Sequence, residues 1–327
     1  MSAQATDATS HQQPIVWLLS DNQPGHLSQL KGLSQRLTAL CGARIHWVEC
    51  QHYPVPLWRW ILGRPPEPSA PRPDLIIGAG RRTHRLLHAL SRYHNAGSVV
   101  LMRPALPVSC FDAVIIPAHD HPPKRSNVFT SLGAINKVQP LPALTDRKQG
   151  LILLGGPSRH FHWSDELVQN QVQELCRKSP DWQWHLSSSR RTPTGLMDLL
   201  AQTSPDNLCL HHHATTPPDW LPQQLAQSRL VWVSPDSVSM VCEALTAGVT
   251  TGLFDLKPVR GSRVVRAITE LHAQEWVITW PPPQTLFDHP PAQNRTLWEA
   301  DRAARWLIKR FNLRTEATPA EGAQSHD

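Results

Sequence analysis

The stretch LLSDNQPGHLSQLKGL, residues 18–33, contains the first passage from a strand to a helix in this chain. An apolar run ends at Leu19, a short polar turn follows, and the apolar spacing then becomes that of an amphipathic helix. Ligands of open α/β sheets bind just outside the carboxyl ends of the strands. Within this turn Gly25 would let a ligand approach the backbone, and His26 is a candidate base or hydrogen-bond donor. The alternative is an ordinary capping turn with an exposed histidine.

Short apolar runs alternate with helical periodicity along almost the whole chain, in two successive cycles. This rhythm predicts an α/β protein made of two Rossmann-like domains, each with helices on both faces of a parallel sheet. The predicted boundaries are 1–13 for a disordered N-terminus, 14–135 for the first domain, 136–149 for a linker, 150–293 for the second domain, 294–312 for a final helix and 313–327 for a disordered tail.

The composition is that of a globular chain with a basic surface. Of the 327 residues, 40% are hydrophobic and 18% charged, which excludes a chain too polar to fold. The net charge of +6 favours anionic partners, although a merely solvated basic surface is the alternative. Because Lys and Arg are scattered, nucleic acid is not expected as a partner. No signal peptide and no apolar run of ~18 residues is found, so a cytoplasmic protein is expected, with a peripheral position on the inner face of the membrane left open.

Paired arginines follow two of the predicted strands. In GAGRR, Arg81 and Arg82 lie in the first turn of a helix, where cations oppose the helix dipole and a bound anion would offset the cost. In SSSRRTP, Arg190 and Arg191 follow a strand of the second domain. Each pair follows the carboxyl end of a strand, where open α/β sheets bind ligands, so both pairs are candidates for binding a diphosphate in one presumed cleft. A purely structural role is the alternative for the first pair.

Two further loops of the second domain have the character of phosphate sites. The loop LLGGPSRHFHW is similar to a phosphate-cradling loop without the Walker lysine, and its candidate residues are Gly155, Gly156, Ser158 and Arg159. In VSPDSVSMVCEALTAG, Asp236 or Ser237 is predicted to cap a helix whose free N–H groups could hold a pyrophosphate. Glu243, two turns along, could hold ribose hydroxyls. An ordinary capped helix with an exposed glutamate is the alternative.

Other chemistries find little support in the sequence. The tract HHH at 211–213 has no Cys or acidic cluster at metal-ligand spacing, so it is interpreted as a loop tract and no metal site is predicted. The three-glycine pattern of nicotinamide-binding folds and the serine elbow of α/β-hydrolases are both missing. PAHD places Asp120 after a strand, where it could contribute to a cleft between the domains or simply cap a loop.

Taken together, these motifs form an ordered set over residues 14–312. The set SDNQPGHLSQLKGL, GAGRR, FDAVIIPAHD, GGPSRHFHW, SSSRRTP and PDSVSMVCEALTAG resembles the mitochondrial-fission "elongated mitochondria" family of plants and its bacterial homologues. That family is similar to the GT-B glycosyltransferases, especially the lipid-linked N-acetylglucosaminyltransferase of peptidoglycan synthesis. The resemblance implies two domains facing a cleft, with the last helix crossing back to the first domain. It also implies that Gly25 and His26 lie on the acceptor side and that Ser237, Ser239 and Glu243 bind a nucleotide sugar.

The resemblance implies a glycosyltransferase that uses a nucleotide-diphosphate sugar as substrate, without a tightly bound cofactor or a bound catalytic metal. Arginines and helix N-termini would stabilise the leaving diphosphate, and His26 or Asp120 would be the base for an acceptor hydroxyl. Two alternatives share the fold. One is a non-catalytic binding protein in membrane or envelope organisation, and the other is a GT-B-type nucleotide-sugar epimerase.

The segment YPVPLWRWILGRPP combines tryptophans with arginines. Trp58 and Trp60 lie beside Arg59 and Arg64, a combination that suits the interface of a bilayer. This predicts a weak peripheral membrane contact that would bring a lipid-linked acceptor to the protein. The alternative is a helix packed in the core of the first domain.

Overall fold

The computed structural model describes residues 13–203, 205–217, 219–291 and 295–313. The predicted tails therefore lie outside the described residues, apart from their innermost positions. The chain forms two compact units, one of Met1–Ile115 together with Asp301–Asp327 and the other of Ile116–Ala300. The domain limits and the linker proposed from the sequence stay predictions.

The first sheet has six strands. Their bounds are Ile15–Ser20 (β1), Arg44–Glu49 (β2), Leu75–Ala79 (β3), Gly97–Leu101 (β4), Ala113–Pro117 (β5) and Val128–Ser131 (β6). The spatial order is β2-β1-β3-β4-β5-β6, and the pairs among β1 to β5 are parallel. β1 is fully buried, and Leu18 lies opposite Trp47 on one side and Ile77 on the other. The strand order thus reverses between β1 and β3, the place where open sheets bind ligands.

Three helices accompany this sheet: α1 (Pro24–Cys41), α2 (Leu57–Ile61) and α3 (His84–His94). α1 starts with a proline, whose fixed φ suits a first turn, and ends at Gly42 in the left-handed conformation. Leu30, Leu33 and Leu37 repeat at helical spacing and are fully buried. The helix therefore begins directly at the end of β1, as the periodicity of residues 18–33 predicts.

The second sheet has five strands. Their bounds are Gln149–Leu153 (β7), Gln183–Ser187 (β8), Leu208–His211 (β9), Leu230–Val233 (β10) and Thr250–Leu253 (β11). The order is β11-β10-β7-β8-β9, and every pair is parallel. Here the order reverses between β7 and β10. The predicted α/β class with two parallel sheets is confirmed.

Six helices belong to the second unit: α4 (Asp165–Lys178), α5 (Thr194–Thr203), α6 (Trp220–Gln227), α7 (Val238–Ala247), α8 (Arg263–Ala273) and α9 (Thr285–Asp288). α4 begins after the N-cap residue Ser164, whose hydroxyl accepts a hydrogen bond from the Leu167 N–H at 3.2 Å. Trp184 and Trp232, from two strands of the sheet, are among the largest fully buried side chains. Their burial anchors the core that holds the strand ends in place.

The last helix, α10 (Glu299–Phe311), returns to the first unit. Asp301 forms an ion pair with Arg36 of α1 at 2.6 Å, and Arg310 donates to the Asp112 carbonyl at 2.6 Å. The ring of Phe311 packs where a Cβ on Gly97 would otherwise lie. The helix that the sequence predicts to cross back to the first domain does so. None of the helices in the described ranges is both long and apolar enough to cross a membrane.

Candidate functional site

The loops after β7 and β10 meet at the reversal point of the second sheet. The Gly155 N–H donates to the Ser234 hydroxyl at 2.7 Å, and the Gly156 N–H donates to Asp236 Oδ2 at 3.1 Å. Gly156 has φ of +150°, and a Cβ there would overlap the carbonyl of Arg191. Only glycine fits this position, because both the conformation and the space exclude a side chain.

Asp236 connects three of these segments. Its side chain is only 1% exposed, and besides Gly156 it forms an ion pair with Arg191 at 2.7 Å. The second carboxylate oxygen, Oδ1, is buried and has no hydrogen-bond partner among the described residues. Asp236 therefore fixes the glycine turn against Arg191. The predicted helix cap differs from this arrangement, since Ser237 holds the N-cap position of α7 but its hydroxyl makes no capping bond.

A cavity of about 650 Å³ opens beside these loops, within the second unit. Its walls come from the carboxyl ends of β7, β8 and β9 and from the start of α6 and α7. The lining residues are Leu153, Ser187, Ser188, Ser189, Arg190, Arg191, His213, Thr216, Pro217, Trp220, Leu221, Ser237, Met240 and Glu243. Four of the residues predicted from the sequence, Arg190, Arg191, Ser237 and Glu243, thus line one cavity.

The two arginines make one wall of the cavity cationic. Arg191 is tied to the glycine turn, donating to the Gly156 carbonyl at 3.2 Å in addition to its ion pair. Arg190 has no ion pair or side-chain hydrogen bond within the described part of the chain. An anion in the cavity would therefore meet one fixed guanidinium and one that is free to reorient.

Glu243 lies on α7, facing the same cavity. Burial of its carboxyl group raises the pKa from 4.5 to about 7, while the positive charge of Lys137 acts in the opposite direction. A carboxyl group at this depth is costly to ionise unless a donor pairs with it. Hydroxyl groups of a ligand would supply such donors.

Sequence reasoning missed His213 and Trp220. Ser188 Oγ lies 3.2 Å from His213 Nδ1 and also accepts from the His213 N–H at 3.0 Å, so two strand ends meet there. Burial, His212 and Arg190 lower the pKa of His213. The signal was the position of HHH at the carboxyl end of a strand, before a loop that leads to a tryptophan. Over the described ranges no three His, Cys, Asp or Glu side chains form a group suited to a metal ion.

The other candidates of the second unit lie apart from the cavity lining. Ser158 caps its own loop, accepting from the N–H groups of His160 and Phe161. Arg159 and Ser239 are exposed. Asp120 follows β5 in a short 3₁₀ turn, 3.9 Å from the guanidinium of Arg263. A role for these residues in the reaction stays a prediction.

The reversal point of the first sheet holds an aspartate–histidine pair. His26 Nδ1 lies 2.8 Å from Asp21 Oδ1, and the Asp21 side chain is 6% exposed. Gly80 has φ of +91°, and a Cβ there would come within 2.6 Å of both the imidazole and Asp21. Gly80 thus makes room for the pair. The sequence analysis did not identify Asp21, because its pairing with His26 depends on the conformation of the turn and not on a recognisable spacing.

This pairing gives His26 a defined chemistry. Since Nδ1 faces a carboxylate, the other ring nitrogen is left to act on a ligand, and the aspartate would stabilise the imidazolium after proton uptake. Gly25 is exposed, and nothing lies within 4 Å of where its Cβ would be. Its lack of a side chain is therefore not required by packing.

Arg81 and Arg82 line a different cavity of the first unit, of about 450 Å³. Both arginines are exposed, and Gly80 before them turns the chain into a short 3₁₀ segment that leads into α3. The sequence prediction that they bind the diphosphate of a nucleotide sugar stays a prediction.

The family of the chain follows from its sequence as a whole. A model of the family described as mitochondrial fission ELM1 matches residues 24–311. The chain belongs to the mitochondrial fission ELM1 family. The resemblance drawn from the motifs is thereby confirmed. A curated relative, the uncharacterized protein RP120 of Rickettsia prowazekii (strain Madrid E), is 32% identical over 116 residues, and the match spans 32% of each chain.

Solved structures show the fold of this ELM1-family chain. The match to the S. aureus MnaA–UDP co-structure covers 94% of this chain and 100% of that one, at a TM-score of 0.51 and 11% identity. The UDP-GlcNAc 2-epimerase of Methanocaldococcus jannaschii matches over 90% of this chain and 99% of its own, at 0.53 and 10%. The fold is of the GT-B type. At such identity the likeness carries the fold alone.

Proposed function

We propose that this chain binds a nucleotide-diphosphate sugar in the cavity of the second unit. The observation that carries the proposal is the convergence of two arginines, an uncapped helix start and a half-buried glutamate at the reversal point of a parallel sheet. The volume of about 650 Å³ lies within the range of small-ligand sites. Two proteins of similar fold support the same class of ligand: one is a co-structure with UDP, and the other is a UDP-GlcNAc 2-epimerase.

Each element has a role in this proposal. Arg190 and Arg191 would pair with the diphosphate, and the N–H groups at the start of α7 would face it. Glu243 would accept hydrogen bonds from the ribose hydroxyls. Trp220, with Pro217 and Leu221, offers an apolar wall against which a base can pack.

For the reaction we propose glycosyl transfer. An acceptor hydroxyl oxygen would form a bond to the anomeric carbon as the bond from that carbon to the diphosphate breaks. The nucleoside diphosphate would leave with the electron pair, its charge stabilised by the arginines. His26, held by Asp21, would take the acceptor proton.

The second candidate is nucleotide-sugar epimerisation, and a specific observation favours it. The neighbours with TM-scores above 0.5 include described UDP-GlcNAc 2-epimerases. A non-catalytic binding protein with the same cavity is the third. The three candidates differ in their products. A transferase releases nucleoside diphosphate when an acceptor is added, whereas an epimerase equilibrates two nucleotide sugars without an acceptor. A binding protein does neither.

The acceptor that we propose is lipid-linked or part of the cell envelope, reached by a weak peripheral contact with the membrane. Of the two tryptophans named for this contact, Trp58 is 57% exposed. Trp60 instead donates its indole N–H to His88 at 3.1 Å and is half-buried. Trp58 is therefore the residue that would carry the contact.

The test is thermal stabilisation by a panel of nucleotide sugars and nucleoside diphosphates. A ligand at a hundred times its Kd should stabilise the native protein by about 2.7 kcal/mol. Glu243→Ala should weaken binding by ~2–4 kcal/mol, because two hydrogen bonds to a charged group are lost. Glu166→Ala, which changes an exposed glutamate of α4, is the control. Stabilisation that is identical in the Glu243 variant would rule out this site.

A further inference from the structure

Three arginines of the first unit converge on one cavity. Arg81, Arg82 and Arg85 all line the cavity of about 450 Å³, with His84, Tyr53 and Cys50. All three arginines are exposed, and none has an ion pair or side-chain hydrogen bond within the described ranges. The lining contains no Asp or Glu. Three guanidinium groups without a carboxylate leave a local positive charge that an anion would neutralise.

The cavity is also shaped by apolar walls. Besides the arginines, its lining includes Pro54, Val55 and Leu106. His84 is buried, and its pKa is lowered by burial and by Arg81, while its Nδ1 accepts from the Ala105 N–H at 3.3 Å. The positive charge of this cavity therefore comes from the arginines and not from the histidine.

An exposed apolar face lies on α2. Of the seven large hydrophobic residues exposed in the described part of the chain, four belong to this helix and the residue after it: Leu57, Trp58, Ile61 and Leu62, at 54–70%. Their spacing of four residues places Leu57 with Ile61, and Trp58 with Leu62, on one side of the helix. Arg59 covers the Trp58 ring at 5.2 Å. The other three residues are scattered singly, which is usual for a soluble surface.

The apolar face and the arginine cavity are neighbours. Residues 53–55 line the cavity and lead directly into α2. α2 in turn rests on α3, since Trp60 donates to His88 and the two rings pack edge to face. His88 is three residues from Arg85, so the two side chains lie on the same face of α3. One surface thus presents bulky apolar groups beside a cationic recess.

We propose that this surface docks on an anionic membrane, with a lipid phosphate headgroup in the arginine cavity and the apolar face of α2 in the interface. A headgroup supplies the anion that three unpaired arginines require, and the bilayer interface accepts the exposed tryptophan, isoleucine and leucines. A soluble phosphate would satisfy only the arginines. A second protein copy would cover the apolar face, but its net charge of +6 complements a cationic recess less well than an anionic membrane does. The proposal rests on the membrane contact of Trp58 proposed above and adds the lipid headgroup and the three arginines to it, and it does not depend on the nucleotide cavity in the second unit.

The experiment measures sedimentation of the full-length protein with vesicles of phosphatidylcholine alone or mixed with phosphatidylglycerol. The native protein should bind the mixed vesicles at low salt and lose binding as salt rises. Changing Arg81, Arg82 and Arg85 to Gln should reduce partitioning on the order of 100-fold, because each basic residue near an anionic surface contributes roughly fivefold. Trp58→Ala/Ile61→Ala should reduce partitioning roughly tenfold or more.

Two controls match these variants. Trp47→Ala removes a 44% exposed tryptophan of the same unit. The triple change of Arg44, Arg92 and Lys309 to Gln removes the same charge from exposed positions. Arg44 begins β2, whereas Arg81 follows the end of the parallel β3, so these two lie at opposite edges of the sheet. Both control proteins should bind vesicles within about fivefold of native.

Three outcomes would overturn the proposal. The first is no binding of the native protein to anionic vesicles at low salt. The second is stabilisation by inorganic phosphate that depends on the three arginines while the vesicles stay unbound, which would make this a site for free phosphate. The third is a dimer in sedimentation velocity that Trp58→Ala/Ile61→Ala dissociates, which would assign the apolar face to a second copy. Melting temperatures of each variant verify folding.

Discussion

At the scale of single residues, Glu243 is both a candidate for binding the ligand and a side chain that lowers the stability of the folded protein when it is ionised. Its pKa is raised to about 7 because burial disfavours the charged form. A folded state with the higher pKa binds its proton more tightly than the unfolded chain. The stability of the folded state therefore falls as pH rises from about 4.5 through about 7.

Glu243→Gln should remove this cost. We expect the variant to exceed the native protein in free energy of unfolding by up to about 3 kcal/mol at pH 8, with the difference vanishing towards pH 5. Calorimetric melting temperatures measured across this pH range, without ligand, test the expectation. Glu166→Gln, on the exposed face of α4, should show no such trend. A difference that grows towards acidic pH would contradict the assigned cause.

His26 is the second residue whose surroundings define its task. Because Asp21 holds Nδ1 at 2.8 Å, the imidazole is oriented before any ligand arrives. If it is the base of the proposed transfer, His26→Ala should lower kcat by ~10²–10⁴ with the fold retained. His52→Ala, at an exposed histidine of the same unit, is the matched control. Equal loss of turnover in both variants would show that the effect is not specific to the Asp21 pair.

At the scale of elements, the glycine turn after β7 depends on two strand ends at once. Gly156→Ala should destabilise the protein by ~1–3 kcal/mol, because the φ is unfavourable and the Arg191 carbonyl fills the space. It should also abolish binding of nucleoside diphosphate by displacing Arg191. Gly195→Ala in α5 meets no atom within 4 Å and should be neutral or stabilising by ~0.4–1 kcal/mol. Calorimetry and titration of both variants provide the measurement.

Elements and their partners differ in how far the sequence reveals them. The strands and α1 were predictable because apolar spacing within one segment fixes which face is buried. The same patterns located Arg190 and Arg191, which follow β8, and Glu243, which lies within α7. Asp236 was interpreted as a cap, and its bonds to Gly156 and Arg191 depend on loops more than 40 residues away. A local sequence pattern cannot predict partners that are so distant along the chain.

At the scale of the whole molecule, each of the two compact units has its own reversal of strand order, and each reversal holds polar groups that packing does not explain. In the first unit these are Asp21 and His26, and in the second they are Asp236 and the two arginines beside it. Neither set belongs to a sequence motif that would identify a function by itself. The function thus rests on how two sheets of the same kind present different side chains at equivalent places.

This division predicts where a nucleotide acts. Saturating UDP should slow hydrogen exchange in the loops of the second unit around Gly155, Ser189, His213 and Ser237, because a ligand that binds only the folded site raises the free energy of opening there. Residues 97–101, the buried strand β4 of the first unit, should exchange at the same rate with and without UDP. Repeating the measurement with Glu243→Ala at the same UDP concentration separates binding at this cavity from binding elsewhere, since protection of the four loops should then be lost. Protection that persists in the variant, or that appears first around Arg81, would place the nucleotide outside the cavity and overturn the assignment.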